Sequence, residues 1–370
     1  MGALAIGLRG TPAAMADEWF GAANGPLGTS LSEQQLAAGE AFVRRYPTVD
    51  IHSHAGRFFL RGMVDPSPRI QSYGEPFDDK VIAAMREGRV SGALFSGVAD
   101  TRLLEFSEKR GLFANREFAT GEAWQDYRRQ VDVMKAMIGS KILTRGRSPG
   151  DILRAHRRGR TAAVFAIEGG DFIEEKLDRV WHAHRDGVRA ITIVHYHVNQ
   201  IGDIQTEAAV HNGLTPLGAA IVREMNQAGI IIDLAHAPFS VVKSVLDIST
   251  KPMMISHTNI SGPQSQHPRL VSAEHARLVA AHGGIIGSIP WGIGQSTFAD
   301  WIKSILHMVD VVGVDHVAIG TDMDATYMPV FTDYRLWRLI PSALLAAGLS
   351  ERDTAKIMGG NFLRLFGAIA

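Results

Sequence analysis

Short apolar runs and amphipathic stretches alternate along most of the chain. The runs fall at 49–51, 91–98, 161–167, 190–194, 230–234, 252–255, 285–289 and 316–319, eight in all. A strand with one face in water alternates polar and apolar residues. A strand covered on both faces reads as a near-continuous apolar run and belongs to a parallel sheet. Between the runs, apolar residues recur at helical spacing over 31–45, 77–88, 122–138, 149–158, 172–185, 215–228, 239–246, 272–282 and 299–312, and the tail at 341–366 is helical again. Eight strand–helix units predict an α/β protein built as a (β/α)8 TIM barrel, one domain over residues 31–370. A doubly wound open sheet is the alternative, but no G-x-G-x-x-G follows the first run. Residues 57–77, 199–214 and 323–340 read as loops that shape a pocket.

The polar residues fall at one end of these runs. The first, third, fourth, fifth, sixth and eighth are followed by His52 and His54, Glu168, His195 and His197, His236, His257, and Asp322. In such barrels chemistry sits at the C-terminal ends of the strands. Residues i and i+2 of an extended chain share a face, so His52 and His54 point into one site and suit a zinc-like divalent cation. A surface H-x-H without metal is the bland alternative for that pair alone. Glu168 precedes Gly169-Gly170 and has two oxygens with which to bridge two cations; a helix N-cap charge is its structural alternative. His236 and His257 complete a second site. His195 and His197 form another H-x-H that competes with the first for the ligand role, or supplies an electrophile over a substrate carbonyl. Asp322, or Asp324 beside it, stands where proton transfer in hydrolysis needs an acid. The other nine histidines read as surface or supporting positions.

Composition narrows the chemistry. The 370 residues contain no cysteine, so any metal is held by His, Asp and Glu. Lys+Arg and Asp+Glu number 38 each, which removes a global electrostatic case for nucleic acid or an anionic membrane. No apolar run is long enough to span a bilayer. Residues 1–30 read as a flexible tail or the remnant of an export signal: residues 2–8 are apolar and Ala14-Met15-Ala16 has a small-x-small pattern, without a basic leader. A signal remnant would place the protein in the periplasm or cell envelope, a plain tail in the cytoplasm.

The motifs DIHSH (50–54), AIEGG (166–170), ITIVHYHVN (191–199), IDLAH (232–236), ISH (255–257), GTDMD (320–324) and MGGNFLRLF (358–366) occur in this order. As a set they resemble the membrane (renal) dipeptidase family of zinc metallopeptidases, within the amidohydrolase-like metal-dependent barrels. The resemblance implies two zinc ions bridged by Glu168, one held by His52 and residue 54, the other by His236 and His257. It implies hydrolysis of small dipeptides, including ones with a C-terminal D-residue, by a metal-bridging hydroxide, with Asp322 passing the proton to the leaving amine. It further places His195 on the developing oxyanion, Arg269 on the substrate's terminal carboxylate, and Asn199 among the substrate contacts. Two departures stand out. His54 occupies a position where the family usually carries Asp, and His195–Asn199 is one residue longer than the family's His-x-x-Asn. The altered residues keep open a hydrolase of another amide, a lactone or a phosphoester, and, further off, a metal-binding barrel without catalysis. A homodimer is among the assemblies to expect.

Overall fold

The computed structural model describes residues 30–140, 143–262 and 266–369. The tail expected over residues 1–30 lies, but for Ser30, outside the described residues. Eight parallel strands form the barrel: β1 (Val49–Ser53), β2 (Gly92–Val98), β6 (Ala162–Glu168), β7 (Val188–Thr192), β8 (Ile231–Asp233), β9 (Met254–Thr258), β10 (Ile285–Ser288) and β11 (Val317–Ile319), paired in that order. The last step closes just beyond the strands. Ser53 pairs in parallel with Met323, the Asp322 N–H donates to the His52 carbonyl at 2.9 Å, and the His54 N–H donates to the Met323 carbonyl at 3.0 Å. The barrel is therefore nearly closed, and its seam runs through three residues of the expected site. Three further strands lie off it: β3 (Leu104–Ser107) and β4 (Gly111–Ala114) form an antiparallel hairpin, and β5 (Thr144–Arg145) pairs beside β6.

Local chemistry sets the helices between strands. Thr215 caps helix Pro216–Ala228 by accepting from the Gly218 N–H, Pro216 takes the first helical position, and Gly229 ends the helix in the left-handed conformation. Helix Ala273–Ala281 starts on Ser272 in the same way. Where sequence and structure differ, the backbone shows why. The helix expected from residue 172 begins at Asp178, because Glu174 takes φ +51° and breaks the turn before it. The polar stretch 101–121 contains the β3–β4 hairpin. The tail is not one helix: Leu339–Ala346 and Glu351–Ala355 lead into a π-helical turn, Lys356–Gly360, and then Asn361–Ile369.

That final helix plugs the bottom of the barrel. Phe362, Leu365, Phe366 and Ile369 pack against the inward residues Val49, Ile51, Leu94, Val164, Ile231, Met254 and Ile285 in one buried cluster. A continuous apolar floor leaves the opposite, C-terminal end as the place where polar side chains can gather. Just below that end the barrel is tight. A Cβ on Gly287 or Gly320 would lie 1.9 or 1.8 Å from the Ser256 carbonyl oxygen, so β10 and the end of β11 can approach β9 only as glycine.

Candidate metal centre

Glu168, the last residue of β6, is the hub. Its Oε1 lies 3.0 Å from His236 Nε2, 3.4 Å from His257 Nε2 and 3.6 Å from His52 Nε2. Its Oε2 lies 3.3 Å from both His54 Nε2 and His195 Nε2. All six side chains are buried. Two groups have ligand-capable atoms close together: His52, His54 and Glu168, and Glu168, His236 and His257. Asp322 Oδ1 stands 3.1 Å from His54 Nε2.

The outer ring nitrogens show which way the lone pairs face. Ser256 Oγ donates its proton to Asp233 Oδ2 at 2.6 Å, so toward imidazoles it can only accept. It does so from His257 Nδ1 at 2.9 Å and from His52 Nδ1 at 3.2 Å. His54 Nδ1 donates to the Ser96 carbonyl at 2.9 Å. With their protons outside, the Nε2 atoms of these three rings point inward as acceptors, the arrangement that metal-ligating histidines show. Inside, His52 and His54 Nε2 are 3.3 Å apart and His236 and His257 Nε2 are 3.1 Å apart. Glu168 Oε1 is buried with no hydrogen-bond partner among the described residues. His236 Nδ1 is likewise buried without a partner among the described residues. Inward lone pairs on His52, His54 and His257 around an orphaned carboxylate oxygen are costly in a dry interior, and a divalent cation at each histidine pair, with Glu168 beside it, would answer them. The residues present therefore fit two metal ions.

The electrostatics agree. Burial holds His236 and His257 well below the usual imidazole range, helped by Arg269 and by neighbouring rings, which keeps both rings neutral, the form a metal ion requires. Burial pushes against charge on His54 too, but Asp322 and Glu168 outweigh it and lift this ring to about 10. The surroundings thus favour positive charge at that Nε2, as a proton or a metal ion. Burial would raise the Glu168 carboxyl; His195 and His52 overcome this and keep it well below the carboxylate range. Two site residues hold a left-handed backbone that L-residues avoid, His236 at φ +65° and Asp322 at φ +52°. Such strain at two positions of one site is typical of residues held for function.

A cleft of about 470 Å³ opens above the centre, lined by Tyr73, His195, Tyr196, Arg269 and Trp291 among others. Arg269 is only 3% exposed and forms no ion pair among the described residues; its guanidinium reaches Gln205. A buried, unpaired guanidinium at a cleft wall calls for an anion. Nearby, Trp291 Nε1 is buried without a partner among the described residues.

The two histidines of the fourth strand part company. His195 turns to the centre, its Nδ1 fixed at 2.7 Å from Asp100 Oδ1, while the other oxygen of Asp100 accepts the Tyr196 N–H. His197 turns away, between Asp171 at 2.7 Å and Glu117 at 3.0 Å, and these carboxylates overcome burial to raise it to about 9. Asn199, expected among the substrate contacts, is not brought to the cleft. Its amide is spent on the Ile193 carbonyl and Asp171, and its oxygen accepts the Ile201 N–H. It folds the loop after β7 that carries His195. Sequence reasoning missed Ser256 and Asp233, which orient His52 and His257, and Asp100, which orients His195. Their signal was position alone: Ser256 inside ISH, Asp233 just before LAH, and Asp100 two residues past the second strand.

The model of the membrane dipeptidase family, peptidase family M19, matches residues 38–370. The chain belongs to that family. Among relatives, a dipeptidase of Claviceps purpurea, tcpJ, is 29% identical over 252 residues, covering 65% of this chain and 59% of that protein. A dipeptidase of Clonostachys rogersoniana, verJ, is 26% identical over 297 residues, 77% of this chain and 74% of that one. The chain thus spans less than two thirds of the first relative. Among solved structures, a Rhodobacter sphaeroides metallopeptidase liganded with a phosphinate mimic of L-Ala-D-Ala superposes with a TM-score of 0.73 at 19% identity, over 88% of this chain and 99% of that one. The probable dipeptidase PvdM of Pseudomonas aeruginosa gives 0.75 at 19%, over 91% and 98%. These likenesses carry the M19 fold across the whole barrel.

Proposed function

We propose that this M19 protein is a dinuclear zinc dipeptidase acting on small dipeptides. The observation that carries the reading is Glu168 shared between two histidine pairs beneath the unpaired, buried Arg269. His52, His54 and Glu168 would hold one ion and Glu168, His236 and His257 the other. Bound there, divalent cations would lower the pKa of an attacking water and polarise the scissile carbonyl.

The protein's own groups supply the rest. Arg269 grips the terminal carboxylate through its planar fork and sets the peptide bond over Glu168. His195, fixed by Asp100, presents Nε2 to the oxygen on which negative charge develops. Asp322 faces the cleft beside His54 and carries a proton from the attacking water to the leaving amine. The two fungal relatives are dipeptidases and the Rhodobacter metallopeptidase holds a dipeptide mimic, which supports the substrate class.

Metal content of the purified protein and hydrolysis of a dipeptide panel, with and without chelator, test this reading together. It expects about two zinc ions per chain and cleavage that chelator removes and zinc restores. Two metals with no dipeptide cleaved would transfer the site to another amide, lactone or phosphoester. A protein that takes up no metal on reconstitution would overturn the centre itself.

A further inference from the structure

The arginines around the cleft are unevenly answered. Arg269 belongs to the His236–His257 side: Thr258 Oγ1 donates to its carbonyl at 2.9 Å, and the Gln205 it touches donates its N–H to the His236 carbonyl at 2.8 Å. On the opposite, His54–Asp322 side, the chain leaves β1 through Gly56 and Arg57, both left-handed. The Gly56 N–H bonds Asp324 Oδ2 at 2.6 Å and Arg57 Nε bonds the Asp324 carbonyl at 2.8 Å. The Arg57 guanidinium lies over the rings of Tyr73 and Phe77, at 5.3 and 5.4 Å. Arg69 lies over Tyr73 and Phe106, at 4.7 and 5.3 Å, and among the described residues its guanidinium makes a single hydrogen bond, from Nη2 to the Tyr73 hydroxyl at 3.3 Å. Its Nε is buried without a partner among the described residues. Neither Arg57 nor Arg69 meets a carboxylate in an ion pair among the described residues, whereas Arg110 at the rim is paired with Glu207 at 2.6 Å. Tyr73, Phe106 and both unpaired arginines line the same cleft as the metal centre.

We infer that this aromatic and guanidinium wall is the subsite for an acidic side chain on the acyl-side residue of the substrate, with Arg69 as its recognition residue. The inference rests on the dipeptidase reading. With the terminal carboxylate on Arg269 and the scissile carbonyl over Glu168, the acyl-side residue extends toward His54, Asp322 and Arg69. Aromatic faces shield the flat sides of the Arg69 guanidinium and leave its N–H edge as the polar surface, a fork that matches a carboxylate. An apolar side chain would be served by Tyr73 and Phe106 alone and would leave the cation without an anion. His54 stands where the family usually places an Asp, which removes one negative charge from this side of the cleft. Asp324 remains there to receive the α-ammonium. The substrate class is thus a dipeptide with two carboxylates, one at each end of the cleft.

The test is steady-state kinetics of the zinc-loaded protein on charge-only pairs, Asp-Ala against Asn-Ala and Glu-Ala against Gln-Ala, with the C-terminal alanine of either hand. The wild type is expected to favour the acidic member about tenfold or more in kcat/KM, the size of one charge-assisted hydrogen bond. Arg69→Met should bring that ratio toward one, chiefly through KM, and Arg69→Glu should shift preference to Lys-Ala. Equal cleavage of acidic and amide members by the wild type, or a preference that survives both substitutions, would overturn the subsite while leaving the dipeptidase intact. Cleavage of no member of the panel by metal-loaded protein would overturn the dipeptidase reading and the subsite with it.

Discussion

Ser256→Ala is the substitution that asks most of the metal centre, because one hydroxyl fixes a ligand of each proposed ion. Ser256 Oγ accepts from His257 Nδ1 at 2.9 Å and His52 Nδ1 at 3.2 Å while donating to Asp233 at 2.6 Å. Its removal leaves two buried donors without an acceptor, at about 1–3 kcal/mol each if nothing else pairs them. Ser96 Oγ, 3.4 Å from His52 Nδ1, takes up part of the first loss, and Asp233 keeps Thr192 Oγ1 at 2.6 Å. The net effect on metal is that of losing one orienting partner, roughly 10–100-fold in affinity, or about 1.4–2.7 kcal/mol. A competition titration against a chromogenic chelator reads this directly, with circular dichroism as the check on folding. Affinity is expected to fall for both ions, since His52 and His257 belong to different pairs. A loss confined to one ion would refute a shared anchor. Unchanged affinity in a folded variant would refute the tautomer assignment, and with it the argument that the inner nitrogens are lone pairs.

Three further outcomes follow from the same geometry. Arg269→Ala should raise KM for dipeptides about 10–100-fold with kcat much less affected, from the loss of a buried charge-assisted contact; an unchanged KM would remove Arg269 as the carboxylate anchor. Asp322→Asn should lower kcat about 10²–10⁴-fold while metal content holds, and full activity would exclude the proposed proton carrier. His275, 3% exposed and packed on Phe239, is pushed by burial down to about 4. Its folded value lies below the unfolded one, so its contribution is complete above about pH 6.5 and is lost as pH falls toward 4, roughly 3 kcal/mol in all. His275→Leu should therefore flatten the stability–pH curve between those values in urea melts, and a curve of unchanged slope would contradict it.

Much of this protein was legible in the order of its residues. Apolar runs and helical spacing are local patterns, imposed by the covering of both strand faces, and they announced the barrel. The residues of the candidate site were easy to group because each strand end enters the same rim, so His52, Glu168, His236, His257 and Asp322 needed no contact map to be placed together. What the chain could not show was anything that depends on a partner distant in sequence. The H-x-H rule holds only where the backbone stays extended. It holds at His52 and His54 because Met323 and Asp322, some 270 residues on, bond to that segment and carry it past the end of β1. It fails at His195 and His197 because β7 ends at Thr192, and Asp100 and Asp171 draw the two rings apart. Asn199 went to its own loop for the same reason. The anchors Ser256, Asp233 and Asp100, and the unpaired Arg69 across the cleft from Arg269, became visible only when strands far apart in sequence were laid side by side. Periodicity is a property of neighbours along the chain, whereas proton positions and unpaired charges are settled by neighbours in space.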